Sequence, residues 1–267
     1  MAEFTGTVVV VTGASEGIGR ALCLGLAPQG PKLVLAARNA ARLDELKSQC
    51  EAAGGQALSV PTDVTDEAAC RALIERAVQE YGGIDVLVNN AGRTMWTTFE
   101  QVTDLSLYDQ LMRLNYLGAV YCTYYALPHL KQSLGRIVGI SSVAGLTGVP
   151  TRTGYSASKH AMFGFFDSLR VELRGTGVSV TMVAPDFVLS EVHRRAFGSD
   201  GQALEQSPMQ ENKIMTAEEC STLIIRAMAR RERLLITSRR GKLGRLLRVF
   251  APGLMDKIAA KAISERR

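Results

Sequence analysis

What most constrains this 267-residue chain is a set of short apolar runs that do not alternate. Val8-Val9-Val10-Val11 is apolar at every position. A strand with one face in water alternates apolar and polar residues, whereas a strand covered on both faces has no reason to. Strands are read at Thr7–Val11, Lys32–Ala36, Gln56–Val60, Val86–Val88, Gly135–Ile140, Val178–Val183 and Leu234–Thr237, several of them apolar on consecutive residues. The covering layers come from helical patterns between them, at Gly17–Ala27, Asn39–Ala53, Asp66–Tyr81, Leu105–Leu130, Tyr155–Leu173 and Ala217–Arg230. Strand–helix alternation throughout predicts a single α/β domain, a doubly wound seven-stranded parallel sheet flanked by helices.

The length suits one such domain and is enough to bury a stable core without disulfides or metal. The cysteines, Cys23, Cys50, Cys70, Cys122 and Cys220, are odd in number, scattered, and contain no C-x-x-C pair. They read as reduced thiols on helix faces of a cytoplasmic protein. His129, His160 and His193 have no metal-ligand spacing, so no metal is expected. The first apolar run is broken by Thr12 and Gly13 and follows Glu3, so it reads as a strand and not as a signal peptide. No stretch has the length of a transmembrane helix.

The first run leads into Thr12-Gly13-Ala14-Ser15-Glu16-Gly17-Ile18-Gly19, where a helical pattern begins. Glycines between a strand and a helix permit a tight turn and a close backbone approach to a pyrophosphate. The helix N-terminus then offers free N–H groups and partial positive charge to that anion. The spacing G-x-x-x-G-x-G, with the motifs that follow, resembles the short-chain dehydrogenase/reductase family over essentially the whole chain. That resemblance implies a Rossmann-type fold and a nicotinamide dinucleotide as cofactor.

The second strand ends Leu35-Ala36-Ala37-Arg38-Asn39, with no acid to bind a ribose 2′-hydroxyl. Arg38 can pair with a 2′-phosphate, so NADP(H) is expected in preference to NAD(H). The plainer reading of Arg38 is a solvated residue at a helix start. Glu16, inside the loop where NADP-preferring relatives often carry a base, runs against the choice. Asp63-Val64 follows the third strand and matches the family's adenine-binding Asp, or else Asp63 caps the next helix. Asn89-Asn90-Ala91-Gly92 matches the family's N-N-A-G, which lines the adenosine side of the cleft; Asn and Gly are also ordinary turn chemistry.

Tyr155-Ser156-Ala157-Ser158-Lys159 places a phenol and an ammonium one helical turn apart on one face. Ser142, within Ile140-Ser141-Ser142-Val143, precedes Tyr155 by the family's thirteen residues, and Asn115 matches its helix Asn. The resemblance makes Asn115, Ser142, Tyr155 and Lys159 catalytic. Reduction of a ketone leaves an alkoxide that needs a proton, and a phenol with a pKa of about 10 can serve near neutrality if cations favour its ionised form. Lys159 would supply such a field and hold the nicotinamide ribose. Ser142 would stabilise the substrate oxygen, and Asn115 would hold a water in a proton relay. His160, on a different helix face, reads as a packing or surface residue. Ala184-Pro185-Asp186-Phe187-Val188-Leu189-Ser190 resembles the wall that clamps the carboxamide, with Pro185 and Val188 against the cofactor. Asp186 stands where the family has Gly, which puts the local backbone in question.

Residues 187–215 break the pattern before the last helix and read as a substrate loop or lid, or as surface elaboration. Residues 1–237 form the catalytic domain, and 238–267 an extension with nine basic and two acidic residues. The whole chain carries only +5, so the remainder is slightly acidic and is not a nucleic-acid binder. The extension reads as two amphipathic helices broken at Pro252-Gly253. They would pack on this or a partner subunit, or touch an anionic membrane surface peripherally. The expected function is hydride transfer between NADP(H) and a small-molecule carbonyl or secondary alcohol, apolar or steroid-like. The alternative is a non-catalytic NADP(H)-binding sensor on the same fold. From the resemblance, helices Leu105–Leu130 and Tyr155–Leu173 form a homodimer or homotetramer interface.

Overall fold

The structure, a computed structural model, describes residues 3–189, 195–204 and 214–264. Strands β1 (Val8–Thr12), β2 (Lys32–Ala37), β3 (Gln56–Pro61), β4 (Val86–Asn89), β5 (Arg136–Ile140), β6 (Ser179–Ala184) and β7 (Leu234–Ile236) form one sheet in the order β3-β2-β1-β4-β5-β6-β7. Every neighbouring pair is parallel. The strand order reverses between β1 and β4, which opens a crevice at the carboxyl ends of those strands.

The consecutive apolar residues divide by parity. Val9 and Val11 point into a core closed by α1 (Gly17–Leu26), α2 (Ala40–Ala52) and α7 (Ala217–Ala229). Val8 and Val10 point into a second core beneath α3 (Glu67–Tyr81), α5 (Gly118–Gln132) and α6 (Thr153–Glu172). All four valines are 5% exposed or less, so neither face tolerates a polar residue. Each buried side chain of this size is worth roughly 1.5–3 kcal/mol. The five cysteines lie free and buried on α1, α2, α3, α5 and α7.

The helix starts follow side-chain chemistry. Asn39 caps α2 by accepting from Arg42 N, and Asp66 caps α3 by accepting from Ala68 N. Thr216 and Glu219 form a reciprocal capping box on α7. Asp63 is therefore not the cap; its Oδ1 instead accepts from Thr65 N and Oγ1 at 3.0 and 2.8 Å.

One expected helix needs correction. The helical run expected at Leu105–Leu130 is unbroken but not α-helical throughout: α4 (Ser106–Met112) passes into α5 through a π-helical turn at Arg113–Leu117. Helical periodicity cannot distinguish a π turn from an α turn. Such turns often mark functional positions, and Asn115 lies within this one. At the C-terminus, α8 (Arg239–Phe250) and α9 (Pro252–Ser264) form the expected helical pair, with Pro252 at the first position of the second helix. Among the described residues no helix is long and apolar enough to cross a membrane.

Candidate active site

A cavity of about 910 Å³ opens at the strand-order reversal, within the size range of small-molecule sites. Its floor at one end is the glycine loop. Gly13 has φ +64° and Gly17 φ +53°, in the left-handed region that glycine adopts freely. A Cβ on Gly19 would lie 2.3 Å from the Gly13 carbonyl oxygen, so the helix start and loop can close only if residue 19 has no side chain. Ser15, Glu16 and Ile18 complete this wall. The result is a backbone cradle at the start of α1, suited to a pyrophosphate.

The next strand end is stitched to that cradle. Asn90 Nδ2 donates to the carbonyls of Thr12 at 2.8 Å and Gly13 at 3.1 Å. Asn90 N and Ala91 N both donate to Thr12 Oγ1, at 2.9 and 3.1 Å. Asn90, Ala91 and Gly92 line the cavity, as do Arg38, Asp63 and Val64. Glu16, which sequence reading set against a phosphate, has its charge engaged. It accepts from Arg42 Nη1 at 2.9 Å and Arg195 Nη1 at 2.6 Å. Both arginines line the same cavity, and sequence reasoning singled out neither.

At the other end, α6 presents Tyr155 and Lys159 to the cavity. Lys159 is 3% exposed, donates from Nζ to the Ile140 carbonyl at 2.9 Å, and lies 5.8 Å from the Tyr155 ring centre. Burial takes its ammonium down to about 7. Burial pushes the Tyr155 phenol up, while a hydrogen bond with Ser142 and the charge of Arg152 pull it back. Ser142 Oγ accepts from Ala144 N at 3.1 Å and points toward the Pro185 carbonyl at 3.4 Å. Ser141 is separated from this chemistry, donating to the Lys159 carbonyl at 3.0 Å.

Asn115 is 1% exposed and acts as a clamp. Its Oδ1 accepts from Arg93 N at 2.8 Å, and its Nδ2 donates to Arg93 O and Ser158 Oγ, each at 2.9 Å. Pro185 and Val188 line the cavity, and Val188 bridges to Met215. Ser190 and His193 lie outside the described residues, as do the parts of the expected 187–215 loop at 190–194 and 205–213.

The C-terminal helices form a further wall that sequence reading did not assign to the site. Leu243, Leu247, Met255 and Ile258 face into the cavity. They are anchored by the residue that departs from the usual glycine. Asp186 Oδ1 accepts from Arg240 Nη2 at 2.7 Å, and Oδ2 from Ser238 Oγ at 2.6 Å. Asp186 does not have a positive φ, so the backbone takes an ordinary residue there without strain. His160 meets the same extension, holding Arg248 through Nε2 while Nδ1 lies 2.8 Å from the Ser156 carbonyl oxygen. Trp96 and Arg152 also line the substrate end, and neither was anticipated.

Fold and site together define a dinucleotide-binding α/β oxidoreductase. The family model for short chain dehydrogenase matches residues 7–199. A Dehydrogenase/reductase SDR family protein 7-like from Dictyostelium discoideum is 35% identical over 98% of this chain and 83% of its own. An 11-beta-hydroxysteroid dehydrogenase 1A from Arabidopsis thaliana is 33% identical over 94% of this chain and 74% of its own. A short chain dehydrogenase/reductase SDR from Burkholderia phymatum, solved in complex with NAD, superposes with a TM-score of 0.83 at 28% identity, covering 95% of this chain and 96% of that one. This chain belongs to the short-chain dehydrogenase/reductase family and is an oxidoreductase.

Proposed function

We propose that the protein moves a hydride between NADP(H) and a carbonyl or secondary alcohol, with Tyr155 as the acid/base. The observation that carries this reading is the pairing of Tyr155 and Lys159 on one face of α6, in the wall of a cavity floored by the glycine cradle. Nicotinamide, when bound, gives or takes the hydride. The side chains do the rest. Ser142 hydrogen-bonds the substrate oxygen and orients it toward the phenol. Tyr155 delivers a proton to that oxygen in reduction and removes it in oxidation. Lys159 holds the ribose and favours the phenolate while it is charged. Asn115 fixes the strand end at Arg93 against α6 and stands at the head of the proton relay behind Lys159.

The cradle of Gly13, Ser15, Glu16, Gly17, Ile18 and Gly19 takes the pyrophosphate; Asp63, Val64, Asn90, Ala91 and Gly92 take the adenosine; and Pro185 and Val188 take the carboxamide. Arg38 and Arg42 at the rim favour a 2′-phosphate, because Glu16 is already engaged by two guanidinium groups and no acid ends β2. The apolar side chains of α8 and α9 favour a lipophilic ketone, in keeping with relatives named for hydroxysteroids. Residues 1–237 are the catalytic domain, with 187–215 as substrate loop, and within the 238–267 extension α8 and α9 complete its cavity. Exposed Leu246, Val249 and Phe250 beside Lys242 and Arg245 suit a peripheral contact with an anionic membrane. Exposed Tyr124 on α5 and Val171 on α6 suit a homodimer or homotetramer interface.

The test is consumption of NADPH and NADH with aliphatic, aromatic and steroid ketones, by the wild type and by Tyr155→Phe. The expected result is preference for NADPH, and in the variant unchanged NADPH affinity with turnover lower by roughly 10²–10⁴. Full turnover in Tyr155→Phe overturns the reading.

A further inference from the structure

Residues 195–204 join two walls of the cavity that lie far apart in the sequence. On one side the segment is anchored in the protein interior. Phe197 is 3% exposed, its N donates to Thr94 O at 2.9 Å, and its O accepts from Trp96 N at 2.8 Å. The Arg93 guanidinium stacks 3.6 Å from the Phe197 ring centre, and its Nε donates to the Arg195 carbonyl. Arg93 is itself fixed, because the buried Asn115 holds both its backbone N and its backbone O. Farther along, Thr103 N donates to Ser199 O at 2.8 Å.

On the other side, among the described residues, the polar tie to the glycine cradle is one ion pair. Arg195 Nη1 meets Glu16 Oε1 at 2.6 Å, across 179 residues of sequence. Glu16 Oε2 is engaged by Arg42 of α2, so the carboxylate is held in place by its other oxygen. The Arg195 and Glu16 side chains are 45% and 28% exposed and both line the cavity, so the pair stands at the rim and not on the floor. Water screens an ion pair so placed, and it breaks easily. A buried aromatic ring with backbone hydrogen bonds on both sides does not. The segment therefore has a fixed edge at residues 94–97 and a releasable edge at Glu16.

We infer that the Glu16–Arg195 pair is a latch at the coenzyme's entrance, holding residues 195–204 against the cradle and slowing the exchange of the dinucleotide. The inference rests on the cradle being the dinucleotide site. A latch differs from a direct phosphate contact in two ways. It needs the carboxylate of Glu16, and it is indifferent to whether the coenzyme carries a 2′-phosphate. An arginine that gripped the coenzyme itself would act without Glu16.

The test is the dissociation rate of NADPH and of NADH from the full-length protein, followed by stopped-flow fluorescence. The proteins are the wild type, Arg195→Met, Arg195→Lys, Glu16→Gln and the double variant Glu16→Gln/Arg195→Met. Arg195→Met should release both coenzymes roughly three- to fivefold faster, the scale of a part-exposed ion pair. Arg195→Lys keeps the charge and should stay closer to the wild type. In the Glu16→Gln background, Arg195→Met should add nothing further, because the latch is already open. An unchanged release rate in Arg195→Met overturns the inference. So does an effect that persists in the Glu16→Gln background or is confined to NADPH, either of which makes Arg195 a phosphate ligand. If neither coenzyme binds the wild type, the dinucleotide site has failed instead.

Discussion

Replacing Lys159 with Met removes a buried amine while keeping its stem, and the consequence for stability should depend on pH with a defined sign. In the coenzyme-free protein the ammonium deprotonates at about 7, against an ordinary 10.5 in the unfolded chain. Between those values the unfolded state binds a proton that the native state does not, so stability rises with pH. The burial penalty is fully present below about 7 and gone above about 10.5. At about 1.4 kcal/mol per pH unit, the whole window is worth on the order of 4–5 kcal/mol. Between pH 7.5 and 9.5 the difference between wild type and Lys159→Met should change by about 2.5 kcal/mol, with the variant losing ground as pH rises. The lost hydrogen bond to Ile140 O adds an offset that is the same at both pH values. Other groups titrate here, among them the buried cysteines, whose thiols burial raises. They are common to both proteins and cancel in the difference. Urea unfolding at the two pH values, followed by circular dichroism, measures it. A difference that does not change with pH refutes the claim that the native site holds a readily deprotonated amine.

Gly19→Ala would put a methyl 2.3 Å from the Gly13 carbonyl oxygen and 2.6 Å from Asn90 Nδ2, where backbone must yield. Thermal melts should show a destabilisation of about 1–3 kcal/mol, and fluorescence titration at least a tenfold loss of NADPH affinity. Unaltered affinity would mean that the cradle is not the pyrophosphate site. Asp186→Asn weakens the tie to Arg240, which is largely exposed, so stability should fall by less than about 1 kcal/mol. The KM for a lipophilic ketone should nevertheless rise several-fold as the α8–α9 wall loosens, with NADPH binding unchanged. A KM that does not move would remove the extension from the substrate site.

The strands lay in the sequence to within about a residue at each end, because an unbroken run of β-branched residues such as Val8 to Val11 is a local property, although only the sheet decides which of them face which core. The helix caps at Asn39, Asp66 and Thr216 are equally local. Of the site, the glycine loop and the spacing of Ser142, Tyr155 and Lys159 were legible as motifs, since each requires a particular side chain at a fixed distance along one strand or helix. The π turn at Asn115 was not legible, because a single widened turn inside a long helical pattern has no side-chain signature of its own.

Glu16 shows the limit most clearly. In the sequence it is an acid in a loop expected to bind phosphate; in the structure two arginines, from α2 and from residue 195, engage its charge. Asp186 is likewise a local anomaly until α8 arrives, 54 residues later, to pair with it. What the sequence determined by itself was the α/β alternation, the nucleotide cradle and the phenol–ammonium pair, all set by periodicity and short-range geometry. Only the tertiary structure decided which charges are neutralised, that Arg152 is held between Trp96 and Phe187, and that the C-terminal helices close the cavity. Those depend on contacts between distant segments, where burial sets the strength of a charge and no local pattern records its partner.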